Sequence, residues 1–302
     1  MRPANPNPLA YLLMACAALF WAGNIVIGRA ASTSVPPVGL SFWRWTVALA
    51  IFLPFVLPLI RRQWPVMRRE WRLLALLGLL GVAVFHTFLY VAVSTTTAIN
   101  AALIYAATPA LVPLIAWPIL GDRLGLRQAG GILLSSLGIA IVVTRADPAI
   151  LGAMEFTRGD LWMIAAVVAW SFYSVLVKRR PADLNPNAML AGMMTVGVLM
   201  TLPFYLWETA TGRAMPYDAN AAWTVGYVAV FASILAYICY NRGIELVGPS
   251  RAALTAHMLP VFAAALSVVF LGETLHLYHL GGAAAVVMGI LLSGSSGSAK
   301  TT

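Results

Sequence analysis

Charge is scarce in this chain. Asp, Glu, Lys and Arg make up 10% of its 302 residues, against about 25% in soluble domains. Nineteen basic and ten acidic side chains cannot cover the surface of a 32.3 kDa globule. That excludes a secreted domain and an ordinary cytosolic enzyme. It also excludes a nucleic-acid binder, despite the net charge of +9. Cysteine is nearly absent. Cys16 and Cys239 both lie in apolar runs, which excludes a disulfide framework and suits two buried thiols. No H-E-x-x-H pair, Ser/His pair or P-loop occurs. The chain therefore offers no metal set, no expected cofactor and no sign of ATP-driven pumping or intramembrane proteolysis.

What it does have is apolar length. Apolar residues are 61% of the chain and the mean hydropathy is +0.86, where soluble domains hold roughly 45–50% apolar residues. A helix crosses a bilayer with about 20 apolar residues. Ten such runs occur, at 9–28, 38–60, 72–93, 98–120, 126–144, 159–178, 187–207, 221–242, 249–271 and 276–294. They are continuously apolar, whereas strands of a membrane barrel alternate. The expected fold is an all-α membrane protein of ten transmembrane helices. The first run exceeds a signal peptide's apolar core and no A-x-A site follows it, so a signal anchor is expected. Links such as Ser94–Thr97 and Gly121–Gly125 force antiparallel neighbours and leave no room for a soluble domain.

Lys and Arg set orientation. Fourteen of the nineteen fall on the side of the N-terminus, including Arg61, Arg62, Arg68, Arg69, Lys178, Arg179, Arg180 and Arg242. Arg29, Arg145, Arg158 and Arg213 fall on the other, and Arg44 lies inside the second run. Both termini are expected in the cytoplasm, with 295–302 a Gly/Ser-rich tail.

The chain also repeats. Ala101-Ala102-Leu103 recurs as Ala252-Ala253-Leu254, and Pro109 as Pro260. Leu120-Gly121-Asp122 recurs as Leu271-Gly272-Glu273, and Gly130-Gly131 as Gly281-Gly282, all at an offset of 151. Gly138 matches Gly289 at the same offset, and Trp21 matches Trp170 at 149. The chain is thus two five-helix halves, 1–148 and 149–294. Five is odd, so the second half must insert inverted, a plan used by secondary transporters with the substrate site near the midplane.

These residues carry a family resemblance. Phe20-Trp21-Ala22-Gly23-Asn24, Phe42-Trp43-Arg44-Trp45 and the two P…LG[DE] segments with their paired glycines resemble the drug/metabolite transporter superfamily. The resemblance is to its EamA-like ten-helix group, and within that to YddG-type amino-acid exporters. It covers nearly all of residues 10–292. Asp122 stands where the family usually has Glu. The resemblance implies export from a bacterial inner membrane and peripheral fifth and tenth helices.

Polar and aromatic residues inside spans point to a path. Trp21, Asn24 and Gly28 share a face of the first run, and Trp170, Tyr173 and Ser174 one of the sixth. Val82, His86 and Tyr90 stripe the third, and Ser233, Tyr237 and Asn241 the eighth. These stripes occupy repeat-equivalent positions, which suggests a central cavity walled by spans 1, 3, 6 and 8. Tyr105, Asn100 and His257 are expected to complete it. Helix packing is the competing explanation for such residues, and His86 and His257 also suit neutral core histidines. Tyr11, Trp64, Trp71, Trp207, Tyr217 and Trp223 sit at span ends as interface anchors.

Arg44 either binds a substrate carboxylate, snorkels to headgroups or bonds backbone carbonyls, the structural roles being preferred. Pro109 and Pro260 are expected to kink the fourth and ninth spans, as hinges or as static bends. No Asp or Glu lies in the middle of a span, so proton-for-cation drug exchange is disfavoured. A neutral or zwitterionic amino acid or related metabolite, moved by alternating access down its gradient, is the expected cargo. Nucleotide-sugar or drug carriage is the alternative. Partners beyond that substrate and membrane lipid are not expected. Two halves in one chain make a functional monomer sufficient.

Overall fold

The computed structural model describes residues 8–31, 34–96, 101, 104–152, 156–271 and 276–294. Among the described residues ten long helices make up the bundle: α1 (Pro8–Ala31), α2 (Pro37–Arg69), α3 (Trp71–Val93), α4 (Thr108–Leu120), α5 (Leu126–Val143), α6 (Arg158–Val177), α7 (Pro186–Ala210), α8 (Ala219–Val247), α9 (Thr255–Leu271) and α10 (Leu277–Gly294). Among the described residues no strand occurs. Six of the helices, α2, α3 and α5 to α8, are each long and apolar enough to cross a bilayer unaided. α4 and α9 are shorter, at 13 and 17 residues, and α1 and α10 are apolar over Pro8–Asn24 and Leu277–Ser293, so these four complete the ten-helix plan.

Local chemistry sets the ends. Pro37 and Pro186 open α2 and α7 in the first turn, where a missing N–H costs nothing. Asp160 closes a capping box with Thr157 at the start of α6 and also accepts from Thr96 at the end of α3. Gly121 ends α4 at φ +75°, a left-handed conformation that favours glycine and explains the L-G-[DE] motif there. Two departures from expectation stand out. α2 runs on to Arg69 through Pro54, Pro58 and Pro65, so the arginines at 61–69 ride on a helical extension rather than a loop. And α4 begins only at Thr108, after a break at Ala106–Ala107.

The halves are inverted copies, and hydrogen bonds show it. The Glu208 carboxylate near the end of α7 accepts from the amides of Val38 and Gly39 at the start of α2 (3.3 and 2.7 Å). At the opposite end the Asn185 amide donates to Gln63 (2.9 Å). The repeat partners α2 and α7 therefore run antiparallel. α5 and α10 do the same. A Cβ on Gly131 would lie 2.4 Å from the Gly289 carbonyl oxygen, and one on Gly138 2.6 Å from that of Gly282. Those four glycines are two repeat-equivalent pairs, crossed, and their closeness lets the backbones touch. α1 packs on α8 and α9 while α6 packs on α3 and α4, the same arrangement with the halves exchanged.

The main core lies where α1, α2, α3, α6, α7 and α8 converge. Trp64, Trp71, Trp207, Tyr217 and Trp223 are exposed at helix ends, in the places of interface anchors.

Candidate functional site

The centre of the bundle is filled with aromatic rings. Trp21 and Trp170 meet edge-on at 5.2 Å between centroids, and both contact Tyr237 and Tyr240. Tyr173 stacks on Trp170 at 5.0 Å. Phe85 lies against Trp170 at 4.6 Å, and His86 against Trp45 at 5.2 Å. Trp21 and Trp170 are repeat partners, as are His86 and Tyr237, whose rings lie 6.0 Å apart. Partners that touch mark the pseudo-two-fold axis, so it passes through this cluster.

Two hydrogen bonds flank the rings. The Tyr90 hydroxyl donates to Asn24 Oδ1 at 3.1 Å, joining α3 to α1. The Tyr173 hydroxyl donates to Asn241 Oδ1 at 2.6 Å, joining α6 to α8. Asn24 and Tyr173 are equivalent positions, and so are Tyr90 and Asn241. Each half thus builds the same Tyr–Asn bond with the two residue types exchanged.

The other polar groups attach to these bonds. Ser174 and Tyr240 hydroxyls pair at 2.9 Å beside the second. Arg44 attaches to the first: its Nη1 donates to Tyr90 Oη at 2.8 Å, its Nε to Ser233 Oγ at 2.9 Å and its Nη2 to the Ala232 carbonyl at 3.1 Å. It is fully buried, so it does not snorkel. The backbone-carbonyl alternative is met, with two side-chain partners added.

Two π-helical segments make carbonyls available. Leu79–Val84 widens α3 and Val228–Leu235 widens α8, at equivalent places in the two halves. Such segments interrupt the i→i−4 ladder. Tyr237 donates to the Gly81 carbonyl. Trp21 Nε1 donates to that of Ala232 at 3.0 Å, the same oxygen Arg44 uses. Gly81 and Ala232 stand at the repeat offset of 151. Each π segment therefore holds a side chain from the opposite half.

Most of the expected site residues come together here: Trp21, Asn24, His86, Tyr90, Trp170, Tyr173, Ser174, Tyr237 and Asn241. Tyr105 is at the margin, 6.3 Å from Phe85. His257 stands apart. Its Nδ1 pairs with Ser135 Oγ at 2.6 Å and its Nε2 with the Ala106 carbonyl at 2.9 Å, which ties α9 to α5 and to the break before α4. Pro109 sits in the first turn of α4, where the ladder has already ended, so it is not a kink inside a continuous helix. α9 continues through position 260, while the Pro260 side chain, Asn100 and the Gly272-Glu273 copy of the motif lie outside the described residues. The expectation of an open cavity also changes, because rings occupy the centre. Sequence reasoning missed Trp45, Phe85 and Tyr240. Tyr240 follows Tyr237 by three residues on one helical face, a signal that was available.

A cleft of about 290 Å³ opens on one side. Asn185, Leu190, Ile238 and Asn241 line it, with Arg242 and Glu245 at its rim. Glu245 pairs with both Arg180 and Arg242 at 2.6 Å, and Arg69 pairs with Asp183 at 2.8 Å nearby in the chain's α6–α7 link. Hydrogen bonds to Glu70 and Asp183 hold the exposed Arg69 guanidinium even more firmly protonated than usual. Asn241, one of the lining residues, is also the acceptor of the Tyr173 hydrogen bond.

An inverted-repeat helical bundle with a polar and aromatic centre on its pseudo-axis defines a membrane transporter of the drug/metabolite kind. The sequence profile of the EamA-like transporter family matches residues 8–144 and again 157–295, and the chain belongs to that family. Among its relatives is "Uncharacterized transporter YyaM" of Bacillus subtilis (strain 168), 23% identical over 281 residues, covering 93% of this chain and 92% of that one. An "Uncharacterized transporter" of Archaeoglobus fulgidus is 24% identical over 294 residues, covering 95% and 98%. A solved structure titled "Crystal structure of protein" shares the fold, with a TM-score of 0.75 and 21% identity over 94% of this chain and 95% of that one.

Proposed function

We propose that this transporter exports amino acids, aromatic and other neutral ones first, or related small metabolites, by alternating access through the aromatic centre. The two halves are 1–148 and 149–294, and the monomer suffices. The carrying observation is the pair of repeat-equivalent bonds, Tyr90–Asn24 and Tyr173–Asn241, on either side of the Trp21–Trp170 cluster. Each acts as a latch for one face. Alternating access in inverted-repeat proteins exchanges the conformations of the halves. Opening one latch while the other stays closed would expose the rings to one side of the membrane at a time. Ring faces suit an aromatic or apolar side chain, and the Asn, Ser and Tyr groups suit its polar end.

The cluster of Arg69, Arg180 and Arg242 supports, by the positive-inside rule, a reading with the cleft and both termini on the cytoplasmic side of a bacterial inner membrane. No Asp or Glu enters the cluster among the described residues, which favours facilitated flow over proton exchange.

The test is uptake by proteoliposomes of labelled Phe, Tyr, Trp, Met, Thr and Ala, beside a cationic drug and a nucleotide sugar, with and without a pH gradient. Saturable amino-acid uptake without a gradient supports the proposal. Uptake of the drug or the sugar alone assigns the other branch of the superfamily.

A further inference from the structure

Arg44 is a buried cation with neutral partners only. Tyr90, Ser233 and Ala232 take three of its five N–H groups, and no carboxylate pairs with it among the described residues. The buried acids are committed elsewhere: Glu208 to the start of α2 and Asp160 to the start of α6. A charge inside a membrane bundle without a counter-charge is costly, and such residues mark binding sites.

A second, independent observation lies beside it. Trp45 Nε1 and His86 Nδ1 are buried polar atoms without a hydrogen-bond partner, on residues 1% and 2% exposed. Buried polar groups are nearly always paired. The guanidinium lies 5.2 Å from the Trp45 ring centroid, and the Trp45 and His86 rings meet at 5.2 Å. Both rings contact Tyr237 in the centre of the cluster. A cation with spare N–H groups thus stands next to an idle indole N–H and an idle imidazole nitrogen, in the heart of the transport path.

We propose that Arg44, Trp45 and His86 form a subsite for the carboxylate of a monocarboxylate substrate. The inference rests on the transport reading of the same centre and names the chemistry of its cargo. A carboxylate accepts from a guanidinium fork, and its remaining lone pairs suit the indole N–H and an Nδ1–H tautomer of His86. Its single charge cancels that of Arg44, whereas a phosphate dianion would leave a buried excess. The subsite is one-sided, because the repeat-equivalent stretch at Met193–Thr195 of α7 holds no charge. It therefore orients the substrate: carboxylate toward α2 and α3, side chain among the rings of α6 and α8. Arg44 also donates to Tyr90, so a carboxylate that draws the guanidinium away loosens the Tyr90–Asn24 latch.

The test uses the full-length protein in detergent. Quenching of tryptophan fluorescence and thermal shift are measured with 3-phenylpropionate, L-phenylalanine, L-phenylalaninamide, phenethylamine and phenyl phosphate. The two carboxylates are expected to bind at least tenfold more tightly than the amide and the amine. R44Q abolishes that difference, R44K keeps part of it, and W45F, which keeps a ring but loses the N–H, weakens carboxylates several-fold and leaves the amine unchanged. The proposal is overturned if amide and acid bind wild-type protein alike, if phenyl phosphate binds best, if nothing in the series binds, or if folded R44Q keeps the preference. Should R44Q not fold, the wild-type series and W45F decide. A carboxylate preference without amino-acid uptake leaves the subsite and removes the function proposed above. Uptake without a carboxylate preference does the reverse.

Discussion

Tyr173 donates to Asn241 across the α6–α8 contact at 2.6 Å, and the other half of the chain makes the same bond with tyrosine and asparagine exchanged. Tyrosine comes from the first helix of its half in one case and from the third helix in the other. The bond is thus kept in both halves of the chain while its donor is swapped. A buried neutral hydrogen bond contributes about 0.5–1.5 kcal/mol. That is small enough for a substrate to break and large enough to bias two states.

The α5–α10 seam gives a sharp contrast between neighbouring glycines. A Cβ on Gly131 meets the Gly289 carbonyl oxygen at 2.4 Å, whereas one on Gly130 meets only Leu292 Cδ2, at 3.7 Å. Gly131→Ala is expected to destabilise by roughly 1–3 kcal/mol through overpacking, and Gly130→Ala to be neutral. Thermal unfolding in detergent compares them. Equal Tm values would contradict the seam.

Glu208 closes the start of α2 with two amide bonds (3.3 and 2.7 Å). Its negative charge also meets the positive end of the helix dipole. Glu208→Gln keeps the shape and removes the charge, and should cost on the order of 0.3–2 kcal/mol. Tm measured at neutral pH is the check, and an unchanged Tm would refute the cap.

His257 is bonded at both ring nitrogens to Ser135 and Ala106 and lies away from the rings. His257→Ala is expected to lower stability by about 0.5–1.5 kcal/mol per lost bond, with no change in KM for any transported substrate. Trp170→Ala should do the opposite, raising KM or abolishing uptake. A KM change in His257→Ala as large as in Trp170→Ala would return the histidine to the path.

Pro109 occupies the first turn of α4, after the helical ladder has ended. Pro109→Ala restores no ladder bond, so the uptake rate is expected to stay within about twofold of wild type. A tenfold loss at normal expression would make it a hinge.

Much of this was legible in the residues. Apolar length gave the ten helices, and the odd number in each half required inversion. The repeat-equivalent stripes that hold Trp21, Trp170, His86 and Tyr237 pointed to a shared centre, where these rings meet. What was not legible has physical causes. Trp45 was passed over because its helix partner region, Met193–Thr195, carries no matching polar stripe, so symmetry gave no signal there. The π segments free carbonyls at Gly81 and Ala232 for bonds from the opposite half, which no local spacing reports. The sequence leaves His257 open between cavity lining and a neutral core histidine, and the Ala106 carbonyl at the break before α4 holds it away from the rings. The apolar run of α2 stops at 60, before Arg61 and Arg62, whereas the helix continues through those charges and Pro65 to Arg69.

The proposed latching of opposite faces by the two Tyr–Asn bonds has a direct experimental check. It is tested by thiol accessibility in a background with Cys16 and Cys239 replaced by alanine. One reporter cysteine replaces Asn187 in the cleft and another replaces Met215, which is buried beside the start of α2. Tyr173→Phe should raise labelling at 187 and lower it at 215, and Tyr90→Phe should do the reverse. Labelling that rises at both positions in either variant, or changes at neither, would contradict the account.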